Sequence, residues 1–395
     1  MHIDVPTSWQ TSLLDKLAAQ VREGHSLQIY GALPSVFPTG RPDDVPNIGH
    51  DAAIEHFDYA RQLGIETNYL ANGSKGARYF SQHPEQGREY FTWITRELRP
   101  DLITVSDPEL QVALNRQFGW ESYCISAIAG IQDRLGLDRW LEATKGCGSV
   151  RSLVLHHDVT QCGWQEIQEV ANAARNFGIR SKLMMTESCY GGCRVRQAHY
   201  ASVGQAAETR PALDPYQVSC MLKRLTNPGS LLDLAGFITP EELHRYFADS
   251  GIDGFKITGR SYSADWIDRA CSYYFSGHSP RNLFEIIVFT SPLLRETLGM
   301  EVDQLFHLDF EAYQKYSEKV RGLQPSERST FTEETAIQLF NSGLLKINDI
   351  GAEYGEHKGK LTLIVPGKYA SALRNRIREG ESGKSAIKIK NLLTA

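Results

Sequence analysis

The densest concentration of reactive side chains is the stretch TESCYGGCRVRQAHY, residues 186–200, in which Cys189 and Cys193 stand four apart around a Tyr-Gly-Gly turn. A third thiol, Cys220, follows in DPYQVSC. Glycines let the backbone curl without steric cost, so the two flanking thiols can converge on one centre. Three or four thiolates suit iron and sulfide, whereas tetrahedral zinc sites more often use a C-x2-C knuckle. The competing reading is that all three are small buried apolar residues, which cysteine commonly is. A radical S-adenosylmethionine site would need C-x3-C-x2-C, and its third position is occupied by Arg196, which excludes that class.

The remaining polar chemistry is mixed. HHDV ends a β-rich run, and strict alternation would turn either His156 with Asp158, or His157 alone, to the interior. A histidine can shuttle a proton near neutrality and a neighbouring carboxylate can orient it; holding a loop by hydrogen bonds is the structural alternative. Glu187, two residues before Cys189, is a candidate base or ligand, and His199 a candidate non-cysteine ligand or catalytic group. Lys256 and Arg260 read as an anion clamp, the guanidinium as a bidentate fork and the ammonium as a point charge, with Arg194 and Arg196 as further cations.

These groups need a scaffold. From about residue 25 to 260 the chain alternates β-rich runs (SLQIYGALP, ETNYLANG, DLITVSD, SYCISAIA, RSLVLHHDV, RSKLMMTES, IDGFKITGR) with amphipathic stretches such as DAAIEHFDYARQLG, REYFTWITRELR, PELQVALNRQFG, WQEIQEVANAARNFG and TPEELHRYFADSG. Thr239-Pro240-Glu241-Glu242 is a helix start, with Thr as N-cap and Pro in the first turn. Seven strands, each leading into a helix, predict an α/β fold of (β/α)8, or TIM, type more readily than an open doubly wound sheet. Neither G-x-G-x-x-G nor G-x-x-x-x-G-K-[ST] is present, so the usual nucleotide-phosphate loops are absent. In a barrel the reactive groups sit where strands end, which nominates Tyr30, Asn72, Asp107, His156, His157, Asp158, Glu187, Lys256 and Arg260. The alternation stops near residue 280, which predicts a barrel domain over 1–280. Residues 281–395 are expected to form a helical and small α/β extension, with ETAIQLFNSGLLKI as a helix and GKLTLIVPGKYASALRNRIREG as a strand and helix.

Composition sets the outer bounds. The 395 residues are 41% hydrophobic and 23% charged, as in soluble globular chains, and no run approaches the roughly 18 apolar residues of a membrane span. The first ten residues lack a signal-peptide pattern, so a cytoplasmic location is expected. There, an odd count of seven Cys points to free thiols or ligands rather than disulfides. Residues 356–395 hold nine basic and three acidic side chains, net +6, leaving −11 for the rest of a chain whose total is −5. An acidic body disfavours nucleic acid as the principal ligand, though the basic tail could attract phosphate or an acidic partner.

Three blocks carry a family resemblance: ESCYGGCRVRQAHY after a strand, DPYQVSC with LTNPGSLLDLAGFITPEELHRYFADSGIDGFKITGRS, and DLITVSDPEL upstream. Over residues 25–280 the chain resembles the peptidase U32 family. Several members are similar to oxygen-independent hydroxylases with a [4Fe-4S] cluster on four cysteines. The resemblance implies that Cys189, Cys193 and Cys220 are cluster ligands. It leaves the fourth place to Cys124, Cys271, a non-cysteine residue such as Glu187 or His199, or the substrate; Cys147 and Cys162 are bystanders. The expected function is therefore an iron-sulfur enzyme, an oxidoreductase or hydroxylase acting on a small anionic or aromatic substrate that carries a carboxylate. Glu187, His156, Asp158 and His199 are its expected catalytic groups, and Asn72, Asp107, Arg194, Lys256 and Arg260 its substrate contacts. The alternatives are an RNA-base hydroxylase, a non-catalytic cluster-bearing subunit assembled with a related chain, and a peptidase, which lacks Cys/His pairing and an H-E-x-x-H motif in this sequence. Homo- or hetero-oligomers with a related chain are the expected assemblies.

Overall fold

Each of eight short segments places polar and apolar residues on alternate sides, the pattern of a strand lying between two different environments. In the computed structural model they close into one parallel barrel: β1 (His2–Pro6), β2 (Ser26–Gly31), β3 (Glu66–Ala71), β4 (Leu102–Val105), β5 (Ser122–Ile125), β6 (Ser149–Val154), β7 (Arg180–Met184) and, after two further strands, β10 (Gly254–Lys256), in the order β1-β10-β7-β6-β5-β4-β3-β2. The structure describes residues 1–395 apart from 22, 36, 40–47, 162, 206–215, 217–219, 221–227, 289–305, 321–322, 324, 348–352, 358–359 and 365–395. The predicted (β/α)8 barrel is thus the fold. All seven predicted strands are in it; the one sequence reasoning missed is β1, which closes it by pairing with β2 and β10.

Apolar residues on the outer side of the strands, such as Ile3, Val5, Leu27, Ile29, Ile103, Tyr123 and Phe255, are fully or almost fully buried beneath the helices. Each large side chain so buried contributes on the order of 1.5–3 kcal/mol. The covering helices are α1 (Thr11–Gln20), α2 (His50–Gln62), α3 (Gly76–Gln82), α4 (Pro84–Thr92), α5 (Pro108–Phe118), α6 (Arg134–Ala143) and α7 (Trp164–Asn176). Between β7 and β10 lie β8 (Thr186–Tyr190), α8 (Arg196–Val203), β9 (Leu234–Phe237) and α9 (Pro240–Ser250), and α10 (Ala264–Ser276) follows β10. The ring of helices closes where Gln20 of α1 donates to Asp268 of α10 at 2.7 Å. The stretch predicted as one helix over REYFTWITRELR instead divides into α4 and a π-helical turn, Trp93–Leu98, ended by Arg99 in the left-handed region at φ 45°. The wider turn lets Trp93, Ile94 and Leu98 all reach the core, and Trp93 stacks on His50 at 4.1 Å between ring centroids.

Inside the barrel several polar residues pair with one another. Lys182 donates to Asp4 at 2.7 Å and to Gln28 at 3.2 Å; Asn68 donates to Gln28 at 2.9 Å, and Thr104 to Asn68 at 2.7 Å. Beneath them Arg180 forms a two-pronged pair with Glu66 at 2.7 and 2.9 Å, and His2 meets Asp4 at 3.0 Å. Lys182 and Asp4 are completely buried, so neither charge would be tolerated without the other. Burial pushes the Asp4 carboxyl up, but Lys182 and then His2 pull it well below the usual carboxylate range. This axial network was not foreseen.

The chain divides into two compact units: residues 1–187, 200–210 and 235–278 form the barrel unit, and 188–199, 211–234 and 279–395 the second. The second unit contains the antiparallel pair β11 (Phe306–Leu308) and β12 (Leu345–Ile347), helices α11 (Phe310–Val320) and α12 (Pro325–Asn341), and a hairpin of β13 (Glu353–His357) and β14 (Lys360–Ile364). The predicted helix over ETAIQLFNSGLLKI ends at Asn341. Gly343, at φ 70°, turns the chain, and Leu345–Ile347 becomes a strand. The predicted helix after β14 and most of the basic tail lie outside the described residues.

Candidate functional site

Three strands adjacent in the barrel, β6, β7 and β10, deliver reactive groups at their C-terminal ends, the end at which such barrels carry their chemistry. After β6 the chain enters a tight 3-10 turn, His157–Gln161. Thr160 in this turn accepts the Gly236 N–H of β9 at 3.1 Å through its hydroxyl and the Tyr246 hydroxyl of α9 at 3.1 Å through its carbonyl, so the turn is held from two sides. The His157 ring is buried and its Nδ1 lies 3.1 Å from the Tyr200 hydroxyl. Gly236 sits at φ 81°, and a methyl group placed there would come within 3.3 Å of Glu187 Cβ and 3.6 Å of His157 Cδ2. The glycine therefore lets β9 approach Glu187 and His157 together.

Lys256 ends β10. Its ammonium lies 3.5 Å from the centroid of the Tyr30 ring, and the Tyr30 hydroxyl donates to the Ile257 carbonyl at 2.7 Å, which holds the ring in place. Burial, helped by the nearby cations Lys182 and Arg260 and opposed by Asp4 and Cys124, brings the Lys256 pKa down to about 8. Arg260 also acts on Tyr69, whose phenol burial raises to about 12 and whose oxygen accepts from Tyr90 at 3.1 Å. Lys256 and Arg260 are two cations at this end of the barrel, while Lys182 is paired with Asp4 deeper inside. At the opposite end His2, Ser26, Arg61, Glu66, Asp101 and Arg180 line a cavity of about 320 Å³.

Of the residues expected from sequence, Glu187 and Lys256 stand at strand ends in this unit, with Arg260 just beyond β10. His156 does other work: its Nδ1 lies 3.0 Å from the Gln132 amide and 3.4 Å from the Asp158 N–H, with the Asp158 carboxylate at 3.7 Å. That is the loop-holding role, and it is His157 that meets Tyr200. Both histidines are buried because β6 has already ended at Val154, so strand alternation no longer applies. Asn72 donates to Ser126 at 3.2 Å, tying two loops, and Asp107 caps α5 by accepting the Leu110 N–H at 2.7 Å. These bonds give both residues a structural use. Arg194 is exposed, and Arg196 is buried and donates to the Tyr190 carbonyl. His199 lies in the second unit, its ring 6.4 Å from that of Tyr216. Tyr200 and Gly236 were not singled out, although Tyr200 closes the TESCYGGCRVRQAHY stretch and Gly236 lies in the LLDLAGFITPEEL block.

The cysteines fall apart as a set. Cys189, Cys193 and Cys220 belong to the second unit and are partly exposed, with the Cys220 carbonyl 3.4 Å from the Tyr190 hydroxyl. Among the described residues no three of His, Cys, Asp and Glu converge closely enough to hold one metal ion, so the thiols as placed do not fit a cluster. Cys124 is buried among Leu102, Ala127, Val154 and Met184, and burial pushes the Cys271 thiol up, so both behave as core residues. Among the described residues no helix is long and apolar enough to cross a membrane.

No protein-family profile matches the chain. It is 26% identical over 268 residues, 66% of this chain and 75% of the relative, to an uncharacterized protease of Methanocaldococcus jannaschii. The solved structure of a U32 peptidase superposes over 65% of this chain and 92% of its own with a TM-score of 0.42 and 15% identity. A pneumococcal exo-β-D-N-acetylglucosaminidase module covers 86% of this chain and 97% of its own at a TM-score of 0.34 and 10% identity. The iron-sulfur hydroxylase expected from sequence is overturned here, because the curated relative is named a protease and no metal-holding group stands among the described residues. In its motifs and in this relative, the chain resembles the U32 peptidase family.

Proposed function

We propose that this chain is an enzyme that hydrolyses peptide bonds, or the similar amide bond of a small anionic substrate, at the mouth formed by the ends of β6, β7 and β10. The observation that carries the reading is the 26% identity to a named protease across most of both chains. The side chains support it as follows. Hydrolysis needs a base to take a proton from water and an acid to return one to the leaving amine. In the tautomer whose Nδ1–H donates to the Tyr200 oxygen, His157 carries on Nε2 the lone pair that a base requires. Glu187, whose Cβ borders Gly236 as the His157 ring does, is a second candidate proton carrier in the same region. Arg260 offers a planar fork for a substrate carboxylate.

The test is hydrolysis of a peptide mixture, followed by mass spectrometry, with wild-type protein and three variants. His157→Gln is expected to lower kcat on the order of 10²-fold or more, and Tyr200→Phe to lower kcat less while shifting its pH profile. Arg260→Gln is expected to raise KM for substrates with a free carboxylate and leave kcat nearly unchanged. A wild-type protein that cleaves nothing, or a His157→Gln protein as active as wild type, would overturn the proposal.

A further inference from the structure

Lys256 is an unusual lysine. Lys182 lies 2.7 Å from Asp4 and Lys16 3.3 Å from Asp268, but among the described residues the buried Lys256 makes no ion pair. Its side chain is 8% exposed, its nitrogen lies over the Tyr30 ring, and it closes a strand at the end of the barrel where ligands bind. The charged groups that act on it are Asp4 and the Cys124 thiol, which favour the ammonium, and Lys182 and Arg260, which oppose it; burial, the largest influence, is what disfavours the charge. Such surroundings make a poor home for an ammonium and a good one for a neutral amine, which is a nucleophile. The anion clamp expected from sequence treats Lys256 as a fixed charge, whereas its burial gives it a second chemistry.

We propose that Lys256 is an imine-forming amine that captures the carbonyl of a small 2-oxo acid at the barrel mouth, with Arg260 holding the acid's carboxylate. The neutral Nζ attacks the carbonyl carbon, a C–N bond forms, and the carbonyl oxygen becomes a hydroxyl by taking up the proton that Nζ loses. That carbinolamine then expels the oxygen as water and leaves a C=N bond to Lys256. No electrons are exchanged and no co-reactant is needed. With its pKa near 8, Lys256 is about one-tenth neutral at pH 7, far above the neutral fraction of an exposed lysine. The proposal stands apart from peptide hydrolysis, because it uses a different nucleophile and predicts a covalent adduct rather than a cleaved product.

The experiment is to incubate the full-length protein with glyoxylate and cyanoborohydride, which reduces an imine to a stable secondary amine, and to locate the adduct by peptide mapping. Modification is expected at Lys256 on the order of tenfold faster than at exposed lysines such as Lys145, whose side chain is 78% exposed. The rate is expected to climb as pH rises from 6 to 8. Arg260→Gln should slow labelling by glyoxylate and leave labelling by acetaldehyde, which has no carboxylate, unchanged. Mapping on the wild-type protein decides the matter even if a Lys256→Arg protein fails to fold. Adducts spread evenly over surface lysines, or an Arg260→Gln protein that takes up glyoxylate as fast as wild type, would overturn it; peptide cleavage by the wild-type protein does not depend on either result.

Discussion

At the scale of single residues, burial decides more than residue type. His56, on α2, is 2% exposed, its Nε2 lies 2.7 Å from the Thr7 hydroxyl, and its Nδ1 meets no partner among the described residues. Burial brings its pKa down to about 4. A folded pKa below the unfolded value near 6.5 means that protons favour the unfolded chain, so the stability held above pH 6.5 is lost as pH falls toward 4 and then levels off. The loss should be on the order of 3 kcal/mol at most, and urea unfolding of wild type and His56→Gln at pH 7 and pH 5 measures it. The variant is expected to lose less between the two pH values; an equal loss would show that the titrating group lies elsewhere. Residue types alone showed where Lys256, Arg260 and Glu187 would stand, because strand ends are legible. They did not show that His157 rather than His156 would meet Tyr200, since the 3-10 turn buries both. Cysteine spacing was equally insufficient: C-x3-C permits two thiols to meet, but convergence depends on the path of the chain between Cys193 and Cys220.

At the scale of elements, short motifs were reliable and long-range pairing was not. The Thr239 N-cap read from sequence forms a full capping box, its hydroxyl accepting the Glu242 N–H at 3.3 Å while the Glu242 carboxylate accepts the Thr239 N–H at 3.2 Å. Thr239→Ala is expected to cost about 1 kcal/mol in chemical denaturation, with the barrel retained. Gly236→Ala is a sharper probe, because it places a methyl group against Glu187 and His157 in a backbone region that L-residues avoid. It should destabilise by about 1–2 kcal/mol and lower peptide hydrolysis more than Thr239→Ala does. Full activity in Gly236→Ala would separate Glu187 and His157 from the chemistry. The strand β1 escaped notice for a physical reason: HIDVP is five residues, too short to establish a period, and its pairing partners lie elsewhere in the chain. Its one visible clue was the charge of Asp4 between Ile3 and Val5; the matching charge on β7 is Lys182, which follows Ser181 and precedes Leu183 and Met184.

At the scale of the whole molecule, those two charges meet across the barrel axis. Lys182→Met leaves the Asp4 carboxylate buried without its cation and should destabilise by about 3–5 kcal/mol. Replacing both, with Asp4→Leu and Lys182→Met, should cost clearly less than the sum of the single changes, as thermal unfolding of the four proteins would show. Additive losses would mean that the two side chains act independently despite the 2.7 Å between them. The closure of the barrel has a consequence in time. His2, Ile3 and Asp4 pair with Gly254, Phe255 and Lys256, so the first strand made is joined by the last. At about 5–20 residues per second, β1 waits on the order of ten seconds or longer on the ribosome before that partner is synthesised. During that interval the barrel is an open sheet with exposed edges, the state in which strands find wrong neighbours. Nascent chains arrested before residue 250 should be cut rapidly by protease, and chains long enough to release β10 from the ribosome should resist, so that resistance appears as a step rather than a gradual rise.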